Sequence, residues 1–254
     1  MDMLERVLSV QANAFLSRYL AAARDYSGLD LLSLFISMRA AIRALVAVSQ
    51  DTSDSHEPSA KERLLFALEI LQRPKEPRLI AIGGLSGSGK STVARLVAAQ
   101  VGGGIGAIVL RSDVARKHMF DVPPEDRLPQ AAYRPRTSAR VYTRMLRDAG
   151  CILGCDYPVL VDATFLSRSE REQFRVQAHR SGVDFCGLWL DCDPGLLRAR
   201  VRNRKGDASD AGLAVLEKQL ASNVTPDDWV RIRSAGSAEG TASCVMSVIT
   251  SLQR

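Results

Sequence analysis

Gly84-Leu85-Ser86-Gly87-Ser88-Gly89-Lys90-Ser91-Thr92 fits the pattern G-x-x-x-x-G-K-[ST], the signature of a loop that wraps phosphate groups between a strand and a helix. The flanks suit that reading. Leu79-Ile80-Ala81-Ile82 is a short apolar run that reads as a buried strand, and Val93 to Val101 is a largely apolar stretch without Gly or Pro, as the following helix requires. Gly84, Gly87 and Gly89 admit backbone conformations that other residues avoid. Successive N–H groups can therefore turn inward on phosphate, and the helix N-terminus adds partial positive charge. Ser86, Ser88 and Thr92 complete the phosphate-binding set, Lys90 is placed to reach the β- and γ-phosphates, and the Ser91 hydroxyl is placed to ligate Mg²⁺. ATP and Mg²⁺ are the expected cofactors. The alternative is a plain Gly/Ser-rich turn, against which the flanking strand and helix weigh.

Outward from the loop, apolar runs alternate with helical stretches. Strands are expected near 79–83, 106–111, 158–162, 185–191 and 229–233, and helices near 90–101, 137–150, 168–181, 194–204, 211–223 and 238–252. That alternation predicts an α/β fold, a P-loop NTPase kinase-like parallel sheet with helices on both faces, whose ligands bind at the carboxyl ends of the strands. Upstream, helical periodicity runs through Leu4, Val7 and Leu8, then Phe15, Leu16 and Tyr19, then Leu29 to Val48. A polar stretch at 50–59, a helix from about Ala60 to Gln72 and the breaker Arg73-Pro74-Lys75-Glu76-Pro77 follow. Two units are expected, a helical segment at 1–75 and a nucleotide-binding domain at 76–254.

Of the 254 residues, 46% are hydrophobic and 24% charged, a profile that excludes a disordered chain. No run of 18 uninterrupted apolar residues occurs, so no membrane span is expected. The opening Met-Asp-Met-Leu-Glu lacks the basic start of a secretory signal, and the expected location is cytoplasmic. Cys151, Cys155, Cys186, Cys192 and Cys244 form no C-x-x-C pair, and with three histidines they are read as reduced structural thiols rather than a zinc site. A net charge of +6 suits phosphorylated or nucleic-acid partners but establishes neither.

Further candidates follow the strands. Val109-Leu110-Arg111-Ser112-Asp113 places Asp113 at the sheet's carboxyl edge, near the expected γ-phosphate, where a carboxylate can accept a hydroxyl proton. Arg116 lies one helical turn on and is a candidate for holding the acceptor or a transferred oxygen. The competing reading makes Asp113 the cap of a helix that begins at Val114. Pro158-Val159-Leu160-Val161-Asp162 has the form of a Walker B strand, with Asp162 ordering Mg²⁺ or its waters. The stretch Arg198-Ala199-Arg200-Val201-Arg202-Asn203-Arg204-Lys205 is densely cationic. Arg200 and Arg204 share one helix face and Arg198 and Arg202 another, so one pair can face nucleotide while the other is solvated. Gly206 to Ser209 supplies a junction for a closing lid. Arg134, Arg136 and Arg140, beside Tyr133 and Tyr142, mix basic and aromatic character as an acceptor contact would, although any one of them alone reads as surface decoration.

Together these pieces resemble the AAA_33-type predicted P-loop kinases, a group similar to polynucleotide 5′-kinases, gluconate kinases and zeta-type toxins. The resemblance spans about Arg78 to Ile249 and rests on the phosphate loop, Leu-Arg-Ser-Asp-Val-Ala-Arg-Lys at 110–117, Val-Asp-Ala-Thr-Phe-Leu at 161–166 and Arg-Lys-Gly-Asp-Ala-Ser-Asp-Ala at 204–211. It implies that Asp113 is the base, Arg116 an acceptor or phosphate contact and Arg204 a lid arginine. Arg233, in Ile-Arg-Ser-Ala-Gly at 232–236, departs from the acid expected there. Asp30 to Ala44 is similar to the last helices of an aminoglycoside-phosphotransferase-like domain, whose upstream lobe and catalytic loop have no counterpart here, so that activity is not expected. The reading is ATP-dependent phosphorylation of a hydroxyl on a small metabolite, a nucleotide or a nucleic-acid end. Its alternative is a nucleotide-dependent regulatory or interaction module without a dedicated acceptor. The apolar faces of the N-terminal helices, with Leu31, Leu32, Phe35 and Ile36, suit a homodimer or another partner.

Overall fold

Strand β1 (Arg78–Gly84) is buried from Leu79 onward. Leu79 and Ala81 enter one core cluster and Ile80 and Ile82 the other. That is the period-two division of a strand covered on both faces. The computed structural model describes residues 1–5, 8–50, 58–123, 126–203 and 209–252. Four more strands complete a parallel sheet, β2 (Ile108–Arg111), β3 (Val159–Asp162), β4 (Asp184–Asp191) and β5 (Val230–Arg233), in the order β2-β3-β1-β4-β5. The chain moves to one side of β1 for β2 and β3 and to the other for β4 and β5. The carboxyl end of β1 is therefore the switch point where such sheets open a crevice for ligand.

Helix α1 (Asp2–Glu5) and α2 (Ser9–Ala23) precede a 3₁₀ turn at Ser27–Leu31, and α3 (Leu32–Gln50) and α4 (Ala60–Gln72) follow. Around the sheet run α5 (Lys90–Ala98), α6 (Ser112–Met119), α7 (Pro135–Gly154), α8 (Arg168–Arg180), α9 (Pro194–Asn203), α10 (Leu213–Ala221) and α11 (Ala238–Ser251). Local chemistry sets several ends. Ser59 and Glu62 form a reciprocal capping box on α4, as Ser167 and Glu170 do on α8, each satisfying two otherwise orphaned donors. Helix α7 starts two residues before its expected position because Pro135 occupies the first turn, where a missing N–H costs nothing.

Helix α2 lies along the outer edge of β2, which is otherwise unpaired. Asn13 Nδ2 donates to the Ile105 and Ala107 carbonyls, both at 2.8 Å, and the Val109 N–H donates to Ser17 Oγ at 3.2 Å. Two short polar side chains thus answer an exposed sheet edge that would otherwise recruit another strand. Leu20, Tyr26 and Leu29 join the larger core cluster beside Met145 and Val159, so α2 and the turn after it pack against the sheet. Asn13→Ala is expected to cost about 1–3 kcal/mol, because it leaves two carbonyls without a donor. A urea midpoint indistinguishable from wild type would remove α2 from the edge-covering role.

Helices α3 and α4 pack mainly on one another. They leave Leu34, Phe35, Met38, Ile42 and Leu45 exposed on α3, and Leu64, Leu65, Leu68 and Leu71 exposed on α4. Of the four apolar residues singled out in the sequence, Leu31 and Phe35 are open, Leu32 is half-buried and Ile36 is buried. The segment Ser27–Ser49 reaches, by length and composition, the range of a membrane-spanning helix, with mean hydropathy 1.9 in its most apolar window. The test of uninterrupted apolar residues passes over it because Asp30, Arg39 and Arg43 punctuate it.

Candidate active site

The loop Gly84–Thr92 joins β1 to α5 at the switch point. Gly87 has φ +87° and Gly89 φ +90°, both in the left-handed region, and a Cβ on Gly87 would lie 2.9 Å from the Leu197 carbonyl oxygen. Only glycine suits that position, on grounds of both conformation and space. Neighbouring elements hold the loop in shape. Gln219 Oε1 on α10 accepts from the Ser86 N–H at 2.9 Å, and the Ser234 hydroxyl, just past β5, donates to the Ser88 carbonyl at 2.8 Å. Beneath it, Leu197, Val201 and Leu216 make a small apolar cluster against Leu85.

Three features fit this cradle to a polyphosphate. The N–H groups of Gly87 and Gly89 have no acceptor among the described residues. Ser88 Oγ is fully buried without a hydrogen-bond partner there. Lys90 Nζ donates to the Leu85 carbonyl at 2.9 Å, folding across the loop that anionic oxygens would fill.

At the start of α5 the Ser91 hydroxyl donates to Asp162 Oδ2 at 2.5 Å, so the two expected metal-site residues are in contact. Between them stands Arg111, which the sequence reading did not single out. Its Nε donates to Asp162 at 3.2 Å and its Nη2 to Ser91 Oγ at 3.0 Å. The β2–β3 register pairs Arg111 with Asp162, a neighbourhood set by strand order rather than by any local motif. Among the described residues no group of three or more His, Cys, Asp and Glu side chains gathers to hold a metal. A hydroxyl beside one carboxylate suits Mg²⁺, which keeps several waters and takes phosphate oxygens as ligands.

Asp113 lies within the first turn of α6, which begins at Ser112. It is not the residue before the helix, and no side-chain capping bond forms there. The capping alternative, with a helix starting at Val114, is thereby corrected: α6 follows directly on β2 and starts two residues earlier. Burial pushes the Asp113 carboxyl above the usual carboxylate range, with the negative charge of Asp162 adding to it. Ser209, Arg111 and Lys90 counteract. The carboxyl is thus within electrostatic reach of both the phosphate loop and the Ser91–Asp162 pair.

On the same face of α6, Arg116 is buried. Its Nη1 donates to the Ala132 carbonyl at 2.7 Å and to Ser138 Oγ at 3.2 Å, and its guanidinium lies 5.0 Å from the Tyr133 ring centre. Lys117, fully buried, meets Asp210 at 3.2 Å. Burial alone would raise the Asp210 carboxyl, yet the Leu128 N–H, the Tyr133 hydroxyl and Lys117 together hold it below its usual range. Lys117 and Asp210 were also missed, since nothing in the sequence says that residues so far apart meet. Tyr142 is a core residue whose hydroxyl accepts from the Phe165 N–H at 3.1 Å, and it makes no part of this face.

Arg200 on α9 faces the phosphate loop. Its Nη1 donates to the Ser234 carbonyl at 3.4 Å and comes within 3.8 Å of where a Cβ on Gly89 would be. Arg198 turns away and pairs with Glu217 at 2.7 Å. Arg204 and the lid junction at 206–208 lie outside the described residues. Arg233 pairs in register with Asp191 at the edge of the sheet and is exposed, while the adjacent Ser234 docks that loop on the phosphate loop.

Residues 79–226, more than half of the chain, match the family AAA_33, described as an AAA domain. The chain belongs to the AAA_33 family. Uncharacterized proteins of Mycobacterium tuberculosis and Mycobacterium bovis are each 29% identical to this AAA_33 chain over 235 residues, covering 89% of it and 45% of their own length. The chain therefore spans less than half the length of these relatives. Among solved structures, the Mycobacterium tuberculosis APS kinase CysC in complex with AMPPNP and APS is 22% identical, covers 70% of this chain and 99% of its own, and superposes with a TM-score of 0.51. A gluconokinase of Sinorhizobium meliloti is 20% identical, with 71% and 100% coverage and a TM-score of 0.47. The first of these likenesses shows the fold, an α/β P-loop kinase-like sheet preceded here by helices.

Proposed function

We propose that this AAA_33 protein is an ATP-dependent phosphotransferase that moves the γ-phosphate to a hydroxyl of a small metabolite, a nucleotide or a nucleic-acid end. The observation that carries the reading is the convergence, at the carboxyl ends of β1, β2 and β3, of a phosphate loop, a Ser91–Asp162 contact and the largely desolvated carboxyl of Asp113. A nucleotide-binding module needs the first two. A half-buried carboxylate that can accept a proton beside them belongs to transfer.

In this reading the amides of the loop and Lys90 bind the β- and γ-phosphates, with Gly84, Ser86, Ser88 and Thr92 shaping the cradle. Ser91 and Asp162 hold Mg²⁺, which supplies charge neutralisation on the phosphates when bound. Asp113 takes the proton of the acceptor hydroxyl, so transfer requires its ionised form and falls as pH drops through its raised pKa. Arg116 orients the acceptor through the turn at Ala132 and the first turn of α7 at Ser138, and Arg200 faces the phosphates from α9. Arg204 closes over them as a lid arginine, a role carried by the family resemblance. Water exclusion by such a lid favours transfer to the acceptor over hydrolysis.

The acceptor is found by incubating the full chain with Mg²⁺, ATP labelled in its γ-phosphate and separate pools of sugars, nucleosides and 5′-hydroxyl oligonucleotides. Label entering one pool, and not in Lys90→Ala, supports the reading. Label released only as inorganic phosphate across every pool contradicts it.

A further inference from the structure

A cavity of about 760 Å³ lies on the far side of α6 from Asp113, between α2, α5, α6, α7 and the outer edge of β2. Residues Asp113, Arg116 and Lys117 occupy one face of α6, whereas Val114, Ala115 and His118 line the cavity from the other, as the 100° step between helix residues requires. The cavity exists because α2 is docked on β2, so it combines the N-terminal helices with the nucleotide-binding core. Its floor is apolar, from Val109, Ala115, Met119 and Met145.

Its charge is lopsided. Two carboxylates line it and each already has an arginine, Asp121 with Arg24 and Asp148 with Arg144. Three further arginines, Arg18, Arg95 and Arg140, line it without any carboxylate partner among the described residues, and Arg18 and Arg140 make no hydrogen bond there either. His118 on the same wall has its imidazole held below its ordinary value, by burial first and then by Arg24 and Arg144, with Asp121 opposing. Arg111 forms part of the wall and, through its bonds to Ser91 and Asp162, separates this cavity from the candidate metal site.

We propose that this cavity is a second ligand site, distinct from the phosphate loop and from Asp113, that takes a phosphorylated small molecule with an apolar body. Guanidinium groups match phosphate oxygens in pairs, the floor accepts the body, and the volume is that of a small-molecule pocket.

The test uses the full chain carrying Lys90→Ala, so that the phosphate loop does not dominate, with phenyl phosphate and inorganic phosphate as calorimetric probes. Phenyl phosphate is expected to bind one to one and about tenfold tighter than inorganic phosphate, since its ring covers the apolar floor. Arg18→Glu and Ala14→Trp, one reversing charge and one filling space, are each expected to weaken it by about tenfold or more. In the background with Lys90 intact, both leave ATP affinity within about twofold, because neither touches the phosphate loop. Arg18 is exposed on α2, so its variant folds even if the tryptophan does not. The proposal is overturned by absence of phenyl phosphate binding, by equal affinity for the two probes, by indifference to Arg18→Glu, or by an equal loss of ATP binding.

Discussion

Lys90→Ala is expected to reduce phosphoryl transfer by about 10³ or more and to weaken ATP binding sharply, with the thermal midpoint unchanged. The ammonium now donates to the Leu85 carbonyl across the mouth of the loop. That bond is exchanged for phosphate oxygens on binding, so the residue contributes to ligand charge neutralisation far more than to the fold. The loop's own shape depends on Gln219 and Ser234, which the substitution leaves in place. Calorimetry showing wild-type ATP affinity would remove the phosphate-loop assignment, and a collapsed thermal midpoint would make Lys90 structural.

Asp113→Asn is expected to lower turnover by about 10² or more while ATP affinity stays near wild type, and to make the protein more stable at neutral pH. The second half follows from the raised carboxyl. Burial and Asp162 lift its folded-state pKa above that of the unfolded chain, so the native state binds the extra proton. The associated stability is present at low pH, below the unfolded value, and is lost as pH rises through the folded value. At neutral pH the wild type holds a poorly solvated carboxylate, and asparagine removes it. A gain of about 1 kcal/mol is in the range found when active-site strain is relieved. A merely structural Asp113 predicts the reverse pattern, with turnover kept and stability reduced.

Much of this arrangement is legible in the sequence, and the part that is not has a physical cause. The five strands and the loop at 84–92 are written locally, in apolar runs of strand length and in glycines at fixed spacing, so they can be read without tertiary information. Ser91, Asp113 and Asp162 are likewise found by their position at strand or loop ends. The strand order is not local. It places β2 beside β3, and with it Arg111 beside Asp162, a contact that no spacing along the chain announces. Lys117 and Asp210 meet across a longer separation still. The role of α2 is hidden for a different reason: Asn13 and Ser17 look like ordinary polar positions on an amphipathic helix, and only the unpaired edge of β2 turns them into hydrogen-bonding partners. The exposed apolar faces of α3 and α4 were legible as apolar periodicity, which records the composition of a face without recording what covers it.

Counting products tests the proposed reaction most directly. With Mg²⁺, γ-labelled ATP and the acceptor pool that takes label, the ratio of phosphorylated acceptor to ADP is measured over the first turnovers for wild type and for Asp113→Asn. The account predicts one phosphorylated acceptor for each ADP in the wild type, with both products falling together in the variant. ADP accompanied only by free phosphate, at a rate unchanged by Asp113→Asn, would contradict it.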